Sequence, residues 1–260
     1  MTEEKEKILE FKNAKKSYGK LTVLKDLNLS VYKGEITCLL GPSGSGKTTV
    51  FRTAAGIEEL DEGAIIKKDS LRLAYVFQEP RLLPWKSAEE NLIFVQKNYQ
   101  LEKEAKLRDL LFKLSGLSNF KNSYPHELSG GMKQRLELIR AFAVKADLVF
   151  LDEPLKSLDM KTKYNLRKMI NLIQKESGVS LFFITHDPEE ALLLADRIYI
   201  LAGEGSGIKK EMQIKKERSK RKISDPELYQ SLEEIMAIFT DLVAEFAVDK
   251  NELKELQVKN

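Results

Sequence analysis

Gly41-Pro42-Ser43-Gly44-Ser45-Gly46-Lys47-Thr48 is the stretch from which the rest of the chain is read. The octet satisfies G-x-x-x-x-G-K-[ST], the phosphate-binding loop, at every fixed position. Residues 35–40 (EITCLL) before it are a short apolar run that predicts a buried strand, and residues 47–55 after it have the composition of a helix start. Strand, glycine loop and helix are the context this motif requires. Glycines let the backbone wrap closely, so that amide N–H groups point inward at phosphate oxygens. The helix N-terminus adds about half a positive charge. Lys47 supplies a full charge to the outer phosphates, and Thr48 offers a hydroxyl to a magnesium ion. A Gly/Ser-rich turn that matches by chance is the alternative, and the flanking strand and helix weigh against it.

Further candidates lie downstream. Residues 147–154 (DLVFLDEP) read as a strand that ends in Asp152-Glu153. Acids at a strand end sit at the carboxyl edge of a parallel sheet, where ligands bind. Asp152 is placed to hold magnesium directly or through water, and Glu153 to orient or deprotonate a water that attacks the terminal phosphate. Residues 180–185 (SLFFIT) form another buried-type strand and end at His186, which puts this histidine at the same edge. Asp187-Pro188 then opens a helix, with Asp as N-cap and Pro in the first position. Residues 128–132 (LSGGM) are a second glycine loop feeding a helix. They read either as a second anion cradle with Ser129 as donor, or as an ordinary helix cap. Tyr18 lies in a turn at residues 15–20. Its ring suits a flat base, but the residues themselves favour packing at a hairpin end.

The chain has 260 residues, a net charge of +3, 42% apolar and 32% charged residues, a globular composition. A chain of this length buries about three quarters of its unfolded surface, so no covalent staple is needed. Its single cysteine, Cys38, excludes an internal disulfide and reads as buried packing. The first residues are charged and show no signal-peptide core. No apolar run approaches the about 18–20 residues that span a bilayer. The expectation is an intracellular chain, soluble by itself, whose membrane role comes through a partner.

The order of elements predicts strands at residues 8–12 and 27–31, another at 71–77 (LRLAYVF), and then a change of character. Residues 79–85 hold two prolines and Trp85, which forbids a regular helix or central strand. Helical patterns follow at about 87–96 and 102–114. They make residues 79–120 a mainly helical insertion in an α/β framework, and the Trp85 loop is a candidate contact surface. His126 reads as structural. A helix at about 161–176 and a strand at 197–201 complete the framework. Past Gly203 comes a lysine- and arginine-rich run at 209–222. It reads as a solvated face, with anionic lipid as the alternative. Nucleic acid is not expected, because no aromatics interleave. Leu228, Leu232, Ile235, Met236, Phe239, Leu242, Val243 and Phe246 then form one stripe of a long amphipathic helix.

Taken in order, GPSGSGKT, Gln78, LSGGM, DLVFLDEP, Ser157-Leu158-Asp159 and His186 resemble the ATP-binding subunits of ABC transporters. The loop VFQEPRLLPW resembles the nitrate, sulfonate and taurine importer group, which also covers some pyrimidine-precursor importers. The resemblance implies an α/β fold: a RecA-like P-loop NTPase core with a mainly helical ABC subdomain and a C-terminal helical extension. The ATPase domain would take residues 1–206, with the subdomain inserted at about 79–145, and residues 207–260 would hold the basic segment and the amphipathic helix. It implies that Tyr18 stacks on adenine. It also implies that Gly41, Pro42, Ser43, Gly44, Ser45, Gly46, Lys47, Thr48 and Thr49 hold the ATP phosphates. Thr48, Gln78 and Asp152 would serve Mg2+, Glu153 would be the catalytic base, and His186 would contact the terminal phosphate. Ser129, Gly130 and Gly131 would close on ATP bound to a second copy of the chain, and Asp159 would link the two sites. The implied partners are that second copy, transmembrane permease subunits engaged through residues 78–85, and indirectly a solute-binding protein. The implied place is cytoplasmic, peripheral at the inner face of the cell membrane. Met132 stands where glutamine is commonest across the superfamily, though methionine is usual in this importer group, and Lys156 stands where the group has a small residue. The rival readings are a soluble ABC ATPase of translation or DNA maintenance, a small-molecule P-loop kinase and a degenerate nucleotide sensor. The single phosphate loop, the LSGGM segment and the intact acids count against them in turn.

Overall fold

The computed structural model describes residues 5–156, 158–203 and 205–257, with side chains as far as Leu242. A long hairpin, β1 (Lys7–Tyr18) and β2 (Leu21–Tyr32), leads into β3 (Ile36–Leu40), the glycine loop and α1 (Lys47–Ala55). β4 (Glu62–Lys67) pairs antiparallel with β1 and completes a three-stranded sheet in the order β2-β1-β4. β5 (Leu73–Val76) precedes the helices α2 (Ala88–Lys97), α3 (Ala105–Ser115) and α4 (Gly130–Phe142). Then follow β6 (Leu148–Asp152), α5 (Met160–Ser177), β7 (Ser180–Thr185), α6 (Pro188–Leu194), β8 (Arg197–Leu201), β9 (Ile208–Gln213) and α7 (Pro226–Gln257).

The second sheet has the order β5-β6-β7-β3-β8-β9, parallel except at β8–β9. Every residue of β3, β6, β7 and β8 is buried, as expected of parallel strands covered on both faces. Register fixes what emerges at the carboxyl edge. Leu40 pairs with Thr185 and Asp152 with Ile184, so the chain leaves three neighbouring strands at Gly41, Glu153 and His186. α1 is locked beneath this edge by Phe51, whose ring centroid lies 4.7 Å from Phe182 and 5.3 Å from Phe150.

The first hairpin is longer than the sequence predicts. Residues 15–18, expected in a turn, continue β1, and Lys16 pairs with Leu24. Register shifts between Phe11 and Lys16, with Asn13 at φ 46°, break the alternation from which a strand is recognised. Ion pairs of Lys15 with Glu62 and of Lys16 with Asp61 then occupy the lysines that read as loop. The sequence pattern predicts no strand where β9 forms. It extends the main sheet past residue 206, where the expected ATPase unit ends.

The basic run is less solvated than expected. Arg221 is buried, and its guanidinium donates to the carbonyls of Leu192 (3.0 Å) at the end of α6, Ile214 (3.2 Å) and Lys216 (2.8 Å). Arg218 pairs with Asp196. On α7, Leu228, Ile235 and Leu242 are buried at a spacing of seven residues, and Leu232 and Phe239 pack beside them. Met236 is exposed, while the side chains of Val243 and Phe246 lie outside the described residues.

Candidate active site

The glycine loop gets its shape from backbone that side chains tolerate poorly. Gly44 has φ 83° and Gly46 φ 93°. A Cβ on Gly46 would also come within 2.8 Å of Val23 Cγ1, so this position is closed twice over to any other residue. Lys47 begins α1 and folds back over the loop, donating to the carbonyl oxygens of Gly41 (2.8 Å) and Pro42 (2.7 Å). Burial pushes its amine below the ordinary lysine value, against the opposing charges of Glu153 and Asp152. The Ser45 hydroxyl is buried with no hydrogen-bond partner among the described residues. A sealed polar atom in a glycine loop at a helix N-terminus fits an oxyanion ligand. Ser43, Gly44 and Thr48 are exposed, and Pro42 is half-buried. Thr49 is buried, and its carbonyl accepts from the Thr53 hydroxyl.

Asp152 ends β6 and is 9% exposed. The Tyr75 hydroxyl on β5 donates to its Oδ2 at 3.1 Å. Burial raises the Asp152 carboxyl above its ordinary range despite this bond, with the neighbouring Glu153 charge adding to the rise. Glu153 leaves the strand at φ 45°, an unusual conformation for a non-glycine residue, and its N–H donates to the Ile184 carbonyl at 3.1 Å. Its Oε1 lies 3.3 Å from His186 Nδ1 and its Oε2 2.6 Å from Lys156 Nζ. Burial raises the Glu153 carboxyl, but Lys156 and His186 outweigh that and hold it below the ordinary value.

The structure therefore brings Lys47, Asp152, Glu153 and His186 to one edge. Gln78 is exposed, two residues beyond β5 and past the same edge, where Arg81 covers the ring of the preceding Phe77 with its guanidinium carbon 3.7 Å from the centroid. Tyr18 ends β1, is 45% exposed, and its hydroxyl bonds Glu58 and lies 3.5 Å from the Thr49 hydroxyl beside α1. Ser129 N-caps α4 by accepting from Met132 N–H at 3.3 Å, and Ser129 and Gly130 are exposed. Among the described residues no hydrogen bond joins Ser129, Gly130 or Gly131 to the phosphate loop. Asp159 N-caps α5 through Thr162, while Ser157 lies outside the described residues.

Three supporting residues escape a reading of motifs. Tyr75 appears only as a polar tip in an apolar strand. Gln134 on α4 donates to the Pro154 carbonyl at 3.3 Å and so joins the second glycine-loop helix to the turn after Glu153. Asn91 is fully buried and clamps the Trp85 loop. It accepts from Leu83 N–H (2.8 Å) and donates to the carbonyls of Leu83 (3.2 Å), Lys86 (3.1 Å) and Ser87 (2.9 Å). Trp85 is 70% exposed above that clamp. A separate cavity of about 640 Å3, walled by Leu107, Leu111, Phe142 and Ile173, opens near the start of β7, at the amino end of the sheet.

Thr48, Gln78 and Asp152 present a hydroxyl, an amide oxygen and a carboxylate. These are hard oxygen donors of the kind magnesium takes alongside phosphate and water, so the donor set fits that ion. Among the described residues no cluster of acids, histidines or cysteines forms an all-protein metal cage. No helix among them is long and apolar enough to cross a membrane.

The family described as ABC transporter matches residues 24–156. The chain is 37% identical over 200 residues to an aliphatic sulfonates import ATP-binding protein of Pseudomonas syringae pv. tomato, covering 77% of this chain and 84% of that protein. It is 39% identical over 201 residues to a sulfate/thiosulfate import ATP-binding protein of Nocardia farcinica, covering 73% of this chain and 60% of that protein. It is 37% identical over 206 residues to a spermidine/putrescine import ATP-binding protein of Haemophilus influenzae, covering 75% of this chain and 55% of that one. Among solved structures, the ATP-binding cassette MJ0796 in a dimeric post-hydrolysis state with ADP and Pi superposes with a TM-score of 0.69 at 28% identity, over 81% of this chain and all of that one. The phosphate loop, the strand-end acids and these relatives agree: the chain belongs to the ABC transporter family and is an ATP-binding cassette, an ATPase.

Proposed function

We propose that the chain is the ATP-hydrolysing subunit of an importer of small oxyanionic solutes of the nitrate, sulfonate or taurine type, held against its permease at the cytoplasmic membrane face. The observation that carries the catalytic part is the strand register that aligns Gly41, Glu153 and His186 on one edge. Loop amides and Lys47 bind the phosphates, and Tyr18 offers its ring to the adenine. Thr48, Gln78 and Asp152 hold magnesium, which when bound neutralises developing phosphate charge. Glu153 accepts the proton of the attacking water, with its carboxylate oriented by the contact to His186. His186 also faces the terminal phosphate. Ser129 and Gly130, exposed, and Gly131, half-buried, have no hydrogen bond to their own phosphate loop among the described residues and serve ATP held by a second copy of the chain. A cradle completed by two chains makes hydrolysis conditional on closure.

The import reading is supported by the names of the relatives, which differ in solute: sulfonates, sulfate, polyamines. The VFQEPRLLPW loop favours the sulfonate type among them. Its clamped geometry under an exposed Trp85 suits a permease contact, and a solute-binding protein acts on the complex only indirectly. The test is reconstitution with the permease encoded beside it. Uptake of labelled taurine or another sulfonate, driven by ATP and abolished in Glu153→Gln, is the expected result. ATP-driven uptake of a polyamine alone overturns the solute class, and near-parent hydrolysis by Glu153→Gln overturns the base.

A further inference from the structure

Lys156 stands one turn after Glu153, and its N–H donates to the Glu153 carbonyl at 3.1 Å. Its Nζ lies 2.6 Å from Oε2, while His186 Nδ1 lies 3.3 Å from Oε1. Oε1 thus meets the imidazole, while Oε2, sealed from solvent and without an aligned hydrogen bond, has the Lys156 ammonium beside it as an ion-pair partner. A carboxylate takes a proton from water only through an oxygen that the water can reach. The two partners differ in freedom. The Lys156 side chain is 38% exposed on a flexible four-carbon stem, and the Glu153 side chain is 11% exposed on a backbone fixed by its bond to Ile184. The lysine is the partner with more room to move. Lys156 also belongs to the charge group of the phosphate loop, where its cation acts on Lys47 alongside Asp152 and Glu153. A terminal phosphate arriving there is a competing anion for the same ammonium.

We propose that Lys156 is a positioning residue that restrains the base: its ion pair holds Oε2 of Glu153, and hydrolysis requires that pair to open toward the terminal phosphate. The inference rests on Glu153 being the base. It is independent of which solute is carried.

Lys156→Met keeps most of the stem and removes the charge. The expected result is a rise in kcat of about twofold to fivefold, the scale of one partly exposed ion pair, with KM for ATP changed by less than about twofold. Lys156→Arg rebuilds the pair and returns kcat toward the parent value. In the Glu153→Gln background the Lys156→Met change gives no acceleration. A second readout needs no turnover: acetylation of the Lys156 amine in the full chain, followed by mass spectrometry, is faster in Glu153→Gln than in the parent. A kcat for Lys156→Met at or below the parent value overturns the restraint, as does an acetylation rate indifferent to Glu153. Near-parent turnover of Glu153→Gln alone would instead remove the base assignment, so the two failures are distinguishable.

Discussion

The hydroxyl of Tyr75 on β5 donates to Oδ2 of Asp152 on the adjacent strand β6, across 3.1 Å. The two elements are separated by the whole helical insertion, and only sheet pairing brings them side by side. The bond fixes one oxygen of a buried carboxylate and engages only that one. Tyr75→Phe should therefore weaken magnesium binding more than ATP binding. The expected rise in the magnesium concentration for half-maximal hydrolysis is about tenfold, the low end for a residue that orients a metal ligand. Magnesium titration at saturating ATP measures it, and an unchanged midpoint would show that the tyrosine only packs.

Lys47 holds two loop carbonyls in addition to its charge. Lys47→Ala removes a charge-assisted phosphate contact of about 1.5–3 kcal/mol, so nucleotide affinity should fall about 10- to 100-fold. Calorimetric titration with Mg-ATP reads this directly. An unchanged dissociation constant would take the loop out of the account.

Asn91 makes four hydrogen bonds from a fully buried position. Asn91→Ala strands several backbone groups of the Trp85 loop, and should cost about 2–3 kcal/mol of stability. The expected pattern is a lower melting temperature and weaker coupling of hydrolysis to the permease, with ATP affinity retained. Loss of ATP affinity to the same degree would show that the clamp serves the nucleotide rather than the loop.

Glu137 on α4 is buried beside Arg140, 2.8 Å away, which also donates to the Arg81 carbonyl at 2.7 Å. Burial raises the Glu137 carboxyl above its ordinary range, with Arg140 opposing. A carboxyl raised on folding contributes stability that is present below its unfolded value, about 4.3, and is lost as pH climbs through the folded value. Glu137→Gln does not titrate. Its melting temperature relative to the parent should therefore improve from about pH 4 to about pH 7. A difference flat in pH would show that Arg140 fully compensates the burial.

The site was more legible than the frame around it. Gly41 to Thr48, Asp152-Glu153 and His186 were readable because each sits at a fixed offset from a short apolar run, and parallel strands start and stop where such runs do. The first hairpin was not readable past residue 12, because the bulge around Asn13 breaks its alternation and lysines occupy the far half. β9 is hidden inside a basic run in which only alternate residues are partly or fully buried. Arg221 reads in the sequence as a solvated charge, although backbone carbonyls satisfy it from within.

The amino-acid sequence by itself determined which backbone can fold around phosphate and which acids stand at strand ends, since glycine conformation and apolar run length are local properties. It did not determine who faces those acids. The contacts of Tyr75 with Asp152, Gln134 with Pro154 and His186 with Glu153 join residues far apart in the chain. The first and third exist because the order β5-β6-β7-β3 places those strand ends next to one another, and the second because α4 packs beside the turn after β6; both are properties of how the whole core is packed.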